Sequence, residues 1–128
     1  MSIPIKASVI IPTRGRDQCV RQTLNDLDRQ TYSTFDIWIV DQNNEPLKSL
    51  FENVKNRELH HVTMPALGSH AGRNRGIFLT TAEICIFVDD DVRLKENFIS
   101  AHVEKHQTLD QNVAIVCGRV IQPKDELT

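Results

Sequence analysis

The sequence predicts an α/β fold: a mostly parallel sheet with helices on both faces. Three observations carry that expectation. Across the 128 residues, short apolar and β-branched runs alternate with stretches of helical spacing, an order that specifies parallel strands joined by crossover helices. The runs at 8–11, 35–40 and 84–88 are almost continuously apolar, as strands covered on both faces must be. Each gives way to polar or turn-forming residues, at Pro12-Thr13, Asp41 and Asp89-Asp90-Asp91, and the carboxyl ends of strands in open α/β sheets are where ligands bind.

Residues 8–11 form a first strand, stopped by Pro12. Asp17 is placed to cap a helix over 17–30 with Val20, Leu24 and Leu27 on one face. A second strand, 35–40, ends at Asp41, and Gln42-Asn43-Asn44-Glu45-Pro46 reads as a turn. A short helix is expected over 47–55 and a weaker third strand over 59–64, stopped by Pro65. The segment 68–76, rich in glycine and arginine, reads as a loop leading into a helix through Ile77 and Leu79. A fourth strand follows over 84–88. After it come a helix over 96–109, with Phe98, Ile99 and Val103 inward, and a fifth strand over 113–120, apolar except for Gly118 and Arg119.

No repeat, low-complexity tract or linker interrupts this order, so residues 1–128 read as a single domain. Nothing covers or follows the fifth strand, which makes the chain look like the N-terminal part of a longer protein. An uncovered strand edge invites pairing with another chain, so a homo-oligomer is expected.

Composition narrows the function. A net charge of −2 gives no nucleic-acid footprint, and an aromatic content of 5% offers no base-stacking platform. Three scattered cysteines form no C-x-x-C pair; Cys85 and Cys117 lie in apolar runs and read as small buried hydrophobes. A reduced, cytoplasmic setting follows. No run is long enough to span a membrane.

Asp89-Asp90-Asp91 is the most informative segment. Adjacent carboxylates repel one another, and such a cluster is comfortable either in water or on a hard divalent cation. Its place at a strand end favours the cation over a solvated acidic turn. Residues two apart on extended backbone share a side, so Asp89 and Asp91 can act together. Asp41 ends its strand in the same way and can accept a base N–H. Thr13 offers a hydroxyl. In 68–76 the glycines allow close backbone approach, and a helix start with arginines suits phosphate. There is no Gly-Lys-Ser/Thr of a Walker loop, and the segment does not follow the first strand as a dinucleotide fingerprint should. His102 and His106, four apart on a helix, lack a third ligand for zinc. His60 and His61 read as structural, and His70 falls near the presumed pocket.

Four segments together resemble the N-terminal, nucleotide-sugar-binding half of a family 2 glycosyltransferase with the Rossmann-like GT-A fold. They are Val9-Ile10-Ile11-Pro12-Thr13-Arg14, Ile37-Trp38-Ile39-Val40-Asp41, Gly68 through Gly72-Arg73-Asn74-Arg75-Gly76, and Ile86-Phe87-Val88-Asp89-Asp90-Asp91. The resemblance implies a substrate-binding set of Pro12, Thr13, Arg14, Asp41, Gly72, Arg73, Asn74, Asp89 and Asp90. Thr13 and Asp41 would line the nucleobase pocket, Arg73 would contact base or diphosphate, and Asp89 and Asp90 would lie against ribose and diphosphate. Asp91, the last residue of the DXD-type motif, would be the principal ligand of Mn2+ or Mg2+, with Asp89 beside it.

The implied activity is metal-dependent transfer of a sugar from a nucleotide diphosphate sugar, UDP-linked above all, with inversion. The acceptor would be a polysaccharide, lipid or protein. The family's general base and acceptor-binding residues lie downstream of the aspartate motif, and no residue of this chain is a candidate for that base. One departure stands out: Gln42-Asn43-Asn44 occupies the place of the family's acidic, small and serine residues after Asp41. Two other classes compete. One is a non-catalytic nucleotide-sugar-binding or assembly domain. The other is a sugar-phosphate nucleotidyltransferase, for whose loop Thr13-Arg14-Gly15-Arg16 is a poor match.

Overall fold

The computed structural model describes residues 3–109, 112–119 and 121. It contains β1 (Ala7–Thr13), α1 (Asp17–Asp28), β2 (Phe35–Asp41), a 3-10 turn (Leu50–Asn53), β3 (Glu58–Thr63), α2 (Ser69–Leu79), β4 (Ile84–Phe87) and α3 (Phe98–Thr108). The four strands form one parallel sheet in the order β3-β2-β1-β4. The chain builds outward from β1 to β3, then returns to the other side of β1. That reversal is the switch point at which open α/β sheets form their ligand crevice.

The two faces are covered by different means. Val9, Ile11, Ile37 and Ile39 join Val20, Leu24 and Leu27 of α1 and Ile99 and Val103 of α3 in one core, each burial worth about 1.5–3 kcal/mol. Residues of opposite parity, Ile10 and Pro12, face α2, which comes close through Gly76 and Gly72. Ile77 and Phe78 of α2 point outward.

Several boundaries differ from expectation. Asp17 is the first helical residue rather than the cap, and it pairs with Arg21 one turn on, a favourable place for an acid. The helix expected over 47–55 contracts to the single turn Leu50–Asn53, because Asp41 accepts the Leu47 N–H and draws the preceding segment toward the sheet. The 68–76 segment is not a loop: α2 starts at Ser69. The fifth strand does not form over 113–119, whose residues carry no strand and are mostly exposed; Val120 lies outside the described residues. Ile115 is 77% exposed, and Cys117 is exposed rather than buried. An apolar run becomes a buried strand only where the sheet offers it a partner, and among the described residues β4 pairs only with β1. The strand edge on which self-association was expected is therefore absent from 113–119. Among the described residues no helix is long and apolar enough to cross a membrane.

The polar side of α1 anchors the segment that carries the aspartates. Thr23 donates to the Val92 carbonyl at 2.9 Å, and Gln30 binds the Lys95 carbonyl at 2.7 Å and the Ile99 N–H at 3.0 Å. Asp26, 3% exposed, accepts from the Leu94 N–H at 2.9 Å, from Arg93 Nε at 2.8 Å and from Arg29 at 2.7 Å. Burial alone would raise the Asp26 pKa, but Arg93, the Leu94 N–H and Arg29 together hold it below its ordinary 3.8.

Asp26→Asn is expected to cost about 1–2 kcal/mol at neutral pH, the arginines being screened by solvent. A folded-state pKa below the unfolded one means the contribution is fully present above the unfolded value. It is lost as pH falls through the folded value. The gap between wild type and Asp26→Asn in urea denaturation therefore closes below about pH 4.

Candidate functional site

A cleft of about 440 Å³ opens at the carboxyl ends of β1, β2 and β4. Its walls are Pro12, Thr13, Arg14 and Arg16 after β1, Gln42 after β2, Gly68 and Ser69 at the start of α2, and Asp89, Asp90 and Asp91 after β4. Sheet register brings these together. β1 and β2 end level, with Thr13 opposite Asp41, whereas β4 stops at Phe87 opposite Ile10. The chain beyond Phe87 runs on beside β1, tied by the Val88 N–H to the Ile10 carbonyl at 3.1 Å. This delivers the aspartates to the level of Thr13.

The three carboxylates have three environments. Asp90 is buried and accepts a 2.9 Å hydrogen bond from Thr13 Oγ1. Asp89 and Asp91 have side chains 65% and 45% exposed. Arg73 approaches Asp89 at 3.3 Å. Arg16 donates from Nη1 to Asp91 Oδ2 and lies 3.6 Å from Asp90 Oδ1. Their oxygens are the donor type that Mg2+ or Mn2+ takes, although among the described residues the three carboxylates do not converge into one compact ligand set. A guanidinium already sits on two of the three, so the cluster does recruit positive charge.

Asp41 has a different position from the one expected of a pocket-lining group. It is fully buried and does not line the cleft. Its Oδ1 accepts from the Asn43 N–H at 2.9 Å and Asn43 Nδ2 at 2.8 Å, and its Oδ2 from the Leu47 N–H and His61 Nε2, both at 2.8 Å. Burial pushes its pKa up, but the Asn43 and Leu47 N–H groups, His61 and the Asn43 side chain outweigh this and hold it below the ordinary value.

Gln42, read from sequence as part of a turn, presents the cleft wall instead. Its amide donates to the Gly68 carbonyl at 2.7 Å and accepts the Gly68 N–H at 3.0 Å. Gly68 takes φ +100°, ψ 169°, a conformation open in practice only to glycine. The clamp aims the first turn of α2 at the cleft. Because Gly68 provides no side-chain cap, the leading N–H groups are left to water or an anion.

Gly72 is buried and does not line the cleft. A Cβ there would fall 2.8 Å from both Gln42 Nε2 and Pro12 Cβ, so its smallness serves packing. Asn74 is exposed on α2 outside the cleft wall, and Arg73 reaches the site through Asp89.

Two cleft residues, Arg16 and Gln42, were not in the expected binding set. Neither carried a signal by itself, since an arginine after a strand turn and a glutamine in a polar run are ordinary. The histidines on α3 make no ligand group among the described residues; His102 packs edge-on against Phe98 at 4.8 Å. One compact set of possible metal ligands does exist among the described residues, Asp36, Glu58 and His60. It lies near the opposite end of the sheet, five strand residues or about 17 Å from the level of Asp41. Lys6, 3.4 Å from Asp36, already supplies a counter-charge there.

A sequence model of glycosyl transferase family 2 matches residues 8–128. The chain belongs to glycosyl transferase family 2. That membership sets aside the nucleotidyltransferase reading. Among curated relatives, the amylovoran biosynthesis glycosyltransferase AmsB of Erwinia amylovora is 31% identical over 93 residues, covering 68% of this chain and 31% of AmsB. The chain thus spans about a third of the length of that relative.

Solved structures agree on the fold. TarS of S. aureus in complex with UDP-GlcNAc superposes with a TM-score of 0.69 at 22% identity, covering 80% of this chain and 32% of TarS. The mannosyltransferase PcManGT of Pyrobaculum calidifontis, in complex with GDP-Man and Mn2+, gives a TM-score of 0.72 at 18% identity, covering 88% and 34%. The family 2 resemblance and the α/β architecture read from the sequence are both borne out.

Proposed function

We propose that this chain is the donor-binding part of a metal-dependent glycosyltransferase that takes a nucleotide diphosphate sugar, UDP-linked, and transfers the sugar with inversion to a polysaccharide, lipid or protein acceptor. The observation that carries the reading is the polarity of the cleft. Acidic oxygens line the β4 side, and a helix N-terminus with Arg14 and Arg16 lines the other. A diphosphate needs both: fixed N–H groups and guanidinium forks for its oxygens, and carboxylates for a companion cation. Family membership supports it, as do neighbours of the same fold bound to UDP-GlcNAc, UDP, or GDP-Man with Mn2+.

On this reading Asp91 and Asp89 hold Mn2+ or Mg2+, and Asp90, fixed by Thr13, orients the pair and faces the ribose. A cation bound there would neutralise charge on the departing diphosphate. Ser69 at the head of α2 contacts phosphate, with Arg14 and Arg73 supplying charge. Pro12, Thr13 and Asp41 build the nucleobase side, Asp41 acting through the Asn43–Leu47 loop that it holds. Gly72 and Asn74 belong to the site through α2, Gly72 by letting the helix approach Pro12. The general base lies outside these residues.

The test is calorimetric titration of UDP with and without Mn2+, on wild type and Asp91→Asn. Binding that requires Mn2+ and falls by about tenfold to a hundredfold in the variant is expected. A folded wild type that binds no UDP in either condition contradicts the reading.

A further inference from the structure

We propose that Arg16 is an internal counter-ion that exchanges with the divalent cation: it holds Asp90 and Asp91 while the site is empty, and transfers to the diphosphate when cation and nucleotide arrive. The inference rests on the reading of the cleft as a donor site and adds a residue that makes the two ligands interdependent.

Arg16 sits at the turn between β1 and α1, where Gly15 takes φ +70° and its N–H is held by Asn43 Oδ1 at 2.7 Å. The backbone beneath Arg16 is thus fixed, while its side chain is half exposed. Among the described residues, Asp91 and Asp90 are its only ion-pair partners. Among the described residues its contacts run through Nη1, and no acceptor meets Nε or Nη2. Those donors are free for a bidentate grip on phosphate oxygens, for which a guanidinium is shaped.

Arg16 and a cation compete for the same oxygens. Asp91 Oδ2 carries the guanidinium hydrogen bond, and a metal on that oxygen would stand within a few ångströms of a fixed positive charge. A cation arriving alone must displace Arg16 with nothing offered in return. A cation arriving with a diphosphate gives Arg16 a new acceptor. Cation and nucleotide therefore favour one another, and by linkage each raises the affinity of the other by the same factor. Arg73 does not provide this, because among the described residues it pairs with Asp89 and with neither Asp90 nor Asp91.

Removing the arginine should move the two affinities in opposite directions. In calorimetric titrations, Arg16→Gln is expected to bind Mn2+ alone about fivefold more tightly than wild type or better. The same variant should bind UDP in saturating Mn2+ about tenfold more weakly. Arg16→Lys keeps the charge without the fork. It should stay near wild type for Mn2+ alone while losing UDP affinity. Thermal melting of the metal-free proteins checks that the variants are folded.

Equal or weaker Mn2+ binding by Arg16→Gln overturns the exchange, whatever UDP does. Tighter Mn2+ binding by Arg16→Gln, with UDP bound by neither protein, leaves Arg16 as the counter-ion that the cation displaces, but overturns its transfer to a diphosphate together with the donor-site reading.

Discussion

Asp41→Ala is expected to destabilise the protein by about 3–5 kcal/mol, the cost of breaking a buried charged network by removing one partner. Asp41 is fully buried, and both oxygens are in use. Deleting them strands the Asn43 and Leu47 N–H groups and His61 Nε2 without an acceptor, and each unmade buried bond costs about 1–3 kcal/mol before the loop relaxes. Asp41→Asn removes the charge, keeps one acceptor and turns an NH2 toward existing donors, so it should recover only part of the loss. Urea denaturation measures both.

The pH dependence follows from the sign of the shift. The folded pKa of Asp41 lies below the ordinary carboxylate value, so its stabilisation is present above the unfolded pKa and lost as pH falls through the folded one. The Asp41→Ala penalty should therefore be full at pH 7 and shrink below about pH 4. A penalty under about 1 kcal/mol at pH 7 would show that the 42–47 loop holds itself in place. Because Gln42 follows directly and clamps Gly68, nucleotide binding should weaken alongside stability.

The second large effect is expected at Gly76. A Cβ there would lie 2.4 Å from Ile10 Cγ2 and 3.0 Å from its Cγ1 and Cδ1. Ile10 is fully buried on β1, with β2 on one side and β4 on the other, and cannot step aside. Helix propensity alone would favour Gly76→Ala by about 1 kcal/mol, but overpacking of about 1–3 kcal/mol or more opposes it. The net result should be destabilising for alanine, and Gly76→Val should cost at least about 3 kcal/mol.

Ile10→Ala removes the atoms in the way. Alone it costs about 2–5 kcal/mol through the cavity left behind. Combined with Gly76→Val it should be less damaging than the sum of the two, a coupling of about 1–3 kcal/mol. Additive losses would place the strain elsewhere. The pair also tests whether α2 is set by contact with β1, which in turn sets the direction of its N-terminus at the cleft.

Much of this was legible in local pattern. Val20, Leu24 and Leu27 are spaced for one helix face, and all three are fully buried. The run before Asp89 is a strand, and the aspartates emerge from its carboxyl end. Periodicity failed where a partner was needed. Residues 113–119 are as apolar as a strand, yet among the described residues they pair with no strand and stay mostly exposed. Glycine-rich 68–76 read as a loop because the value of Gly72 and Gly76 lies in what they touch, Pro12 and Ile10, some sixty residues away in the chain.

The sequence by itself determined that this is a parallel α/β protein of glycosyl transferase family 2, with an aspartate cluster at a strand end. Those properties reside in local order, apolar spacing and short motifs. Only the tertiary structure decided how the cluster is used. Strand order set the crevice between β1 and β4, and register set Thr13 against Asp90. The β1–α1 turn carried Arg16 across to Asp90 and Asp91, while Asp41 was drawn beneath its own loop rather than into the cleft. Charge and hydrogen-bond partners are chosen by distance in space, and 75 residues of chain separate Arg16 from Asp91.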